Sequence, residues 1–356
     1  MVPAVHRLPL KLFAAAALAL SSCATPGARS PVAGTYANAV LDADFPDPVV
    51  LKAPDGFYYA YATQTEIGGK WVNIQLARSP DLVNWRHLGD ALPAKPGWAS
   101  KTQDFWAPHV ARHGDTYYMY YSAKPDAALS DDKRGLCLAV ATAGGPQGPF
   151  VDMGKPLQCG ESFINIDPME FVDPATGKSL LYWGSGFGPI KVQELGPDRL
   201  SFAPGSAPVD LIQVVKNDPQ EYQQLIEGAW VIARDGWYYM FYSGNNCCGP
   251  KAHYAVLVAR SRSATGPFEK LSPNPVVLAA RGKWHAPGHN SIITDASGQD
   301  WIVYHAVDVR KPRTNPKDEI NTRRILLIDR IVWRDGWPRI EVDGASSQPH
   351  LRPATR

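Results

Sequence analysis

An aromatic-rich segment recurs five times along this chain, and a fixed period of several tens of residues signals stacked or radiating units rather than one continuous sheet. Three copies read Gly56-Phe57-Tyr58-Tyr59-Ala60-Tyr61-Ala62-Thr63, Asp115-Thr116-Tyr117-Tyr118-Met119-Tyr120-Tyr121-Ser122 and Gly236-Trp237-Tyr238-Tyr239-Met240-Phe241-Tyr242-Ser243. A weaker copy is Lys178-Ser179-Leu180-Leu181-Tyr182-Trp183-Gly184-Ser185, and the last is Asp300-Trp301-Ile302-Val303-Tyr304-His305-Ala306. Aligned on Tyr58, Tyr117, Leu180, Tyr238 and Trp301, the steps are 59, 63, 58 and 63 residues. Aromatic and β-branched runs bounded by Gly, Asp and Pro favour strands, and no long helical period interrupts them. A short strand precedes each copy, at Asp47-Pro48-Val49-Val50, Trp106 to Val110, Asp167 to Phe171, Glu227 to Val231 and His289 to Ile293. A third strand follows, and turns such as Ser79-Pro80-Asp81 and Thr265-Gly266-Pro267-Phe268 lead to a fourth. The expectation is an all-β, five-bladed β-propeller with four antiparallel strands per blade. A β-sandwich of similar length gives no reason for a fivefold repeat.

The two ends lie outside the repeat. His6, Arg7 and Lys11, an apolar run from Leu12 to Leu20, and Leu20-Ser21-Ser22-Cys23 together resemble a lipoprotein signal peptide, residues 1–23, with Cys23 as the lipidated residue. Ordinary signal cleavage nearby, with Cys23 incidental, is the alternative; both readings export the protein, to the periplasm, the outer membrane or the medium. Residues 24–36 are rich in Pro, Gly, Ala and Ser and read as a flexible linker. Residues 37–345 are then the propeller and 346–356 a tail. With 36 Lys and Arg against 34 acidic residues and no long like-charge run, nucleic acid is not an expected partner. The membrane is expected only through a lipid at Cys23, the substrate is expected to be neutral, and the protein monomeric. Besides Cys23 there are Cys137, Cys159, Cys247 and Cys248. An oxidising compartment permits disulfides, but four cysteines allow three connectivities.

In a propeller the first strand of each blade lines the central channel, so the five strand starts converge. Those starts carry Asp47, His109, Asp167, Glu227 and His289. Glycoside cleavage uses one carboxylic acid to protonate the leaving oxygen and one carboxylate to activate water or attack, so three carboxyls in one funnel have a chemical use. Asp42 and Asp44 compete with Asp47, Glu170 with Asp167 and Glu221 with Glu227, but only the chosen three begin inner strands.

Phe45-Pro46-Asp47-Pro48-Val49-Val50, Ile166-Asp167-Pro168 and Ile226-Glu227-Gly228 resemble the three signature segments of glycoside hydrolase family 43. Phe105-Trp106-Ala107-Pro108, Pro287-Gly288-His289-Asn290-Ser291, Tyr304-His305-Ala306 and Arg324 to Asp329 extend the likeness over nearly the whole mature chain. The resemblance implies an inverting mechanism, with Asp47 as general base, Glu227 as general acid and Asp167 tuning the pKa of Glu227. It places Trp106, His289 and Arg324 near the sugar, and His305 where some relatives face calcium in the central channel; no cofactor is required. Calcium prefers oxygen ligands, which a histidine alone does not offer. The closing stretch Ile331 to Pro338 resembles arabinan-acting members, which favours release of L-arabinofuranose from α-linked arabinan or arabinose side chains. The alternatives are a β-xylosidase or another specificity of the family, a fructan-active enzyme on the same architecture, and a glycan-binding propeller without catalysis. Cys247-Cys248-Gly249-Pro250 departs from the family pattern.

Overall fold

A computed structural model describes residues 1, 34–126, 135–249, 251–311, 323–341 and 345–355. Apart from one 3-10 turn at Gly97–Ala99, every regular element among them is a β-strand. Five antiparallel sheets follow one another along the chain. Blade one is Val49–Lys52, Tyr58–Ala62, Gln75–Ser79 and Arg86–Asp90; blade two is Phe105–His113, Thr116–Ala123, Cys137–Ala143 and Val151–Asp152. Blade three runs Met169–Val172, Ser179–Trp183, Ile190–Glu194 and Val209–Ile212, and blade four Ile226–Arg234, Trp237–Asn246, His253–Ser261 and Glu269–Lys270. Blade five is Trp284–Thr294, Asp300–Asp308, Arg324–Arg334 and Trp337–Ile340. The sheets form a five-bladed β-propeller, and each aromatic repeat is the second strand of its blade.

The repeat is aromatic because each blade is buried on both faces. Successive strand residues point to opposite sides, so Tyr59 and Tyr61 pack against Phe105, Met119 and Tyr121 of blade two, while Tyr58 and Ala60 pack against Trp301 and Val303 of blade five. Comparable apolar clusters fill the other three interfaces: Tyr120, Leu138, Leu181 and Trp183 between blades two and three, Tyr182, Met240 and Tyr242 between three and four, and Phe241, Trp284 and Tyr304 between four and five. Burying one such side chain contributes roughly 1.5–3 kcal/mol. The phenol groups explain why tyrosine recurs. The Tyr61 hydroxyl donates to the Pro146 carbonyl, Tyr120 to Arg199, Tyr182 to Ala264 and Tyr239 to Gly336. Each acceptor lies in the turn before the outer strand of the next blade, so one repeated residue both fills an interface and ties it.

The ring closes through segments that the sequence assigns to linker and tail. Thr35–Tyr36 pairs with His350–Leu351, and Leu41 bridges Leu326. The Tyr36 hydroxyl and the Asn38 amide both donate to the Ile328 carbonyl, and Asn38 also donates to Ser346. The expected boundaries at 36 and 346 are therefore corrected outward to include Thr35 to Leu351. Tyr36 and Ser346 are buried against blade five, which a two-residue strand with no periodicity does not announce. The expected signal peptide and Cys23 lie outside the described residues. Two disulfides form: Cys137 to Cys159, joining blade two to an extra edge strand, and Cys247 to Cys248.

Candidate active site

At one end of the channel, backbone conformation decides which side chains enter. Asp47 (φ 55°) and Asp167 (φ 57°) are left-handed, each directly before a proline, and Ala107 (φ 45°) and Ala286 (φ 46°) repeat the arrangement in blades two and five. L-residues rarely adopt this region, and such strain persists where surrounding structure imposes it, often at functional sites. In blades two, four and five the register also slips at this level, between Trp106 and His109, Glu227 and Trp230, and His285 and Ser291. Bulges of this kind re-aim side chains. The result is a pocket of about 330 Å³ lined by Asp47, Trp106, Asp167, Glu227, His289 and Arg324, all but His109 and His305 of the residues expected at the channel. His305 lies beneath it, fully buried.

His109 is a correction. It stands at the expected start of the blade-two strand but does not line the pocket; its ring faces Trp230 at 5.4 Å. The bulge sends Trp106 to the pocket in its place. The rival carboxyls also separate. Glu170 is paired with His113 (3.1 Å) and Arg199 (3.7 Å), Glu221 is exposed, and Asp42 binds Lys311 and Arg323 at the surface. Asp44 does line the pocket, accepting the Thr65 hydroxyl and the Arg324 N–H.

Asp47 is held as an anion from several sides. Arg324 Nη1 donates to Oδ1 at 2.8 Å and the Thr63 hydroxyl to Oδ2 at 2.6 Å, while the Asp47 N–H donates to His305 Nδ1 at 3.0 Å. Burial by itself would raise its pKa, but the Arg324 guanidinium, the two histidines and the Thr63 hydrogen bond bring it down to about 2. Asp167 is the opposite. Burial pushes its carboxyl well above the usual range, and the negative charges of Glu227 and Asp47 add to this, against a hydrogen bond from the Gly228 N–H. Glu227 is pushed up to about 7, again by burial first and Asp47 after it, while the Tyr254 hydroxyl, donating to Oε1 at 2.7 Å, pulls the other way. His289 Nδ1 lies 3.6 Å from Asp47 and 3.7 Å from Asp167. Burial lowers its pKa, so at neutral pH it sits between them as an uncharged ring. One site thus holds an ionised carboxylate beside two carboxyls that retain protons to higher pH.

Thr63 and Tyr254 escaped the sequence reading. Thr63 ends the first repeat, and its hydroxyl also accepts the Ala107 N–H; Ser243, ending the fourth, accepts the His289 N–H in the same way. The small residue closing those repeats was the available signal. Tyr254 opens a third strand, from which nothing in the repeat predicted a reach to the channel. Its ring stacks on His305 at 5.8 Å, and a side chain at Gly288 would collide with it. His305 Nε2 is buried without a hydrogen-bond partner, and no group of three or more His, Cys, Asp or Glu placed to hold a metal is found, both among the described residues. One imidazole nitrogen does not supply the roughly six to eight oxygens that calcium takes.

The family model for glycosyl hydrolases family 43 matches residues 36–338, from Tyr36 into the last strand of blade five. The chain belongs to that family. As a family 43 protein it is a glycoside hydrolase acting on glycan. An extracellular exo-α-(1→5)-L-arabinofuranosidase of Cellvibrio japonicus is 26% identical over 334 residues, covering 86% of this chain and 89% of the relative. A β-D-galactofuranosidase of Aspergillus niger is 29% identical over 295 residues, covering 78% and 76%. The crystal structure of a thermostable family-43 glycoside hydrolase superposes with a TM-score of 0.72 at 30% identity, over 90% of this chain and 100% of that one.

Proposed function

We propose that this enzyme releases L-arabinofuranose from α-linked arabinan or arabinose-bearing side chains with inversion at the anomeric carbon. The observation that carries the mechanism is the separation of proton affinities within one pocket, Asp47 near 2 and Glu227 near 7. Two titratable groups pushed apart by their surroundings divide naturally into base and acid. Asp47 takes a proton from the attacking water as it adds to the anomeric carbon. Glu227 gives its proton to the departing glycosidic oxygen. Asp167 acts through Glu227, the two being buried in one pocket where the negative charge of Glu227 raises the hold of Asp167 on its proton. Arg324 keeps Asp47 ionised, and Trp106 offers an apolar face to the sugar. Both proton transfers are supplied by carboxyls, so no cofactor is required.

The furanose assignment is supported by two relatives named for furanoside cleavage and by the Ile331 to Pro338 stretch. Export is supported by the leader and by the extracellular relative; Cys23 as a lipid anchor predicts that palmitate labelling is lost in Cys23→Ala. A panel of nitrophenyl arabinofuranoside, nitrophenyl xyloside, linear arabinan and arabinogalactan tests the reading, with product size recorded and the first-formed anomer followed by NMR. Preference for arabinofuranosides with an inverted first product is expected. Xyloside preference overturns the sugar, and a retained anomer overturns the mechanism.

A further inference from the structure

One wall of the pocket has no part in the proton transfers. Cys247 and Cys248 follow the strand Trp237–Asn246, are bonded to each other, and both line the pocket beside Asn246. They are half-buried, and Cys247 packs on the buried cluster of Tyr254, Ala286 and Val307. The bridged pair therefore rests on the tyrosine that donates to Glu227. Bonding adjacent cysteines closes a small ring, so neither side chain rotates freely. Two methylenes and two polarizable sulfurs are held as one uncharged surface without further ordering cost on binding. The remaining apolar lining includes Trp71, Trp106 and Phe163, all from earlier in the chain, and Trp71 is 55% exposed. Sugar rings present C–H faces that such surfaces cover, while the few polar groups of a pocket fix orientation.

We infer that the Cys247–Cys248 bridge is a sugar-binding surface, packing on the C–H face of the glycan ring held beside Glu227. The inference rests on the reading of this pocket as the glycan-cleaving site. Opening the bridge frees two thiols to rotate and removes the surface while leaving the three carboxyls in place. A phosphine reductant does this: it adds to one sulfur, breaks the S–S bond, and leaves as the oxide with the oxygen of one water, whose two protons go to the two thiolates.

The test uses the full chain and whichever substrate of the panel gives the highest kcat/KM, with and without phosphine, the state of each bridge being read by mass spectrometry. Opening Cys247–Cys248 is expected to raise KM by about 3- to 10-fold with kcat little changed, the signature of lost binding common to ground and transition states. The double variant Cys247→Ser/Cys248→Ser shows the same KM and no longer responds to phosphine. The variant Cys137→Ser/Cys159→Ser keeps the wild-type KM and still responds. An unchanged KM after the bridge has opened overturns the inference, as does finding both cysteines as free thiols in the untreated protein. A fall in kcat and Tm together, with KM constant, overturns it in favour of a structural staple. Absence of turnover on every substrate takes the pocket reading down with it, whereas turnover with an insensitive KM removes only this inference.

Discussion

Asp47 and Asp167 occupy equivalent positions in blades one and three, each before a proline and each with a left-handed backbone, yet the channel holds one ionised and leaves the other its proton. Arg324 and Thr63 satisfy both oxygens of Asp47 and hold it ionised. Among the described residues Asp167 has no arginine or lysine at contact distance and its Oδ2 finds no hydrogen-bond donor, while the negative charges of Glu227 and Asp47 bear on it. The local motif therefore delivers a carboxyl to the channel, and the residues brought by other blades decide what it does there. Arg324 comes from blade five, 277 positions along the chain.

The largest expected effect comes from one substitution made at both positions. Asn resembles a protonated carboxyl, so Asp47→Asn removes the working ionised form and lowers kcat by about 10³- to 10⁴-fold. Asp167→Asn mimics the form already present and costs about 10- to 100-fold, with the loss in kcat rather than KM. Equal losses would show that the two aspartates carry the same charge.

A pH profile sharpens the comparison. The base must be ionised and the acid protonated, so kcat/KM falls as pH drops through about 2 and as it rises through about 7. Arg324 stabilises the ionised form of Asp47 and of Glu227. In Arg324→Met the acid limb therefore moves up by about 1–3 units, and the alkaline limb moves up with it. A static acid limb would show that Arg324 does not set the charge of Asp47. A smaller effect is expected at Tyr254. Its hydroxyl favours the ionised Glu227, so Tyr254→Phe shifts the alkaline limb upward while kcat at its plateau drops about tenfold; a merely structural tyrosine would leave the limb in place. The smallest effect is expected from metal removal. Dialysis against a chelator should leave kcat/KM within about twofold, since a lone imidazole is a poor calcium site, and a larger loss restored by calcium would reverse that reading.

Much of this was legible because the repeat has a physical cause. Tyr61, Tyr120, Tyr182 and Tyr239 each fill an interface and tie the next blade, so a tyrosine recurs in the second strand of blades one to four although its place in the aligned repeat drifts. The starts of the inner strands pointed to Asp47, Asp167, Glu227 and His289. Blade two failed there because a bulge, which period-two reasoning does not anticipate, substitutes Trp106 for His109. The closing pair Thr35–Tyr36 and His350–Leu351 is too short to carry a pattern. Tyr254 was missed for another reason: its role depends on Gly288 from blade five leaving room for its ring, a contact between distant segments that no local rule contains. The pairing of Cys247 with Cys248, one of several open choices in the sequence, likewise needed the pocket to give it meaning.

The central claim is that two buried carboxyls in one pocket divide the work, Glu227 as acid and Asp47 as base. Its most direct test is the dependence of kcat/KM on the leaving group, compared between Glu227→Gln and Asp47→Asn on glycosides of the accepted sugar. A dinitrophenolate departs without a proton, whereas a sugar or alkyl alcohol needs one. Glu227→Gln should therefore stay within about tenfold of wild type on the dinitrophenyl glycoside and fall by about 10³-fold on the alkyl one, while Asp47→Asn falls on both alike. Equal losses for Glu227→Gln on both substrates, or an Asp47→Asn variant rescued by the better leaving group, would contradict the assignment.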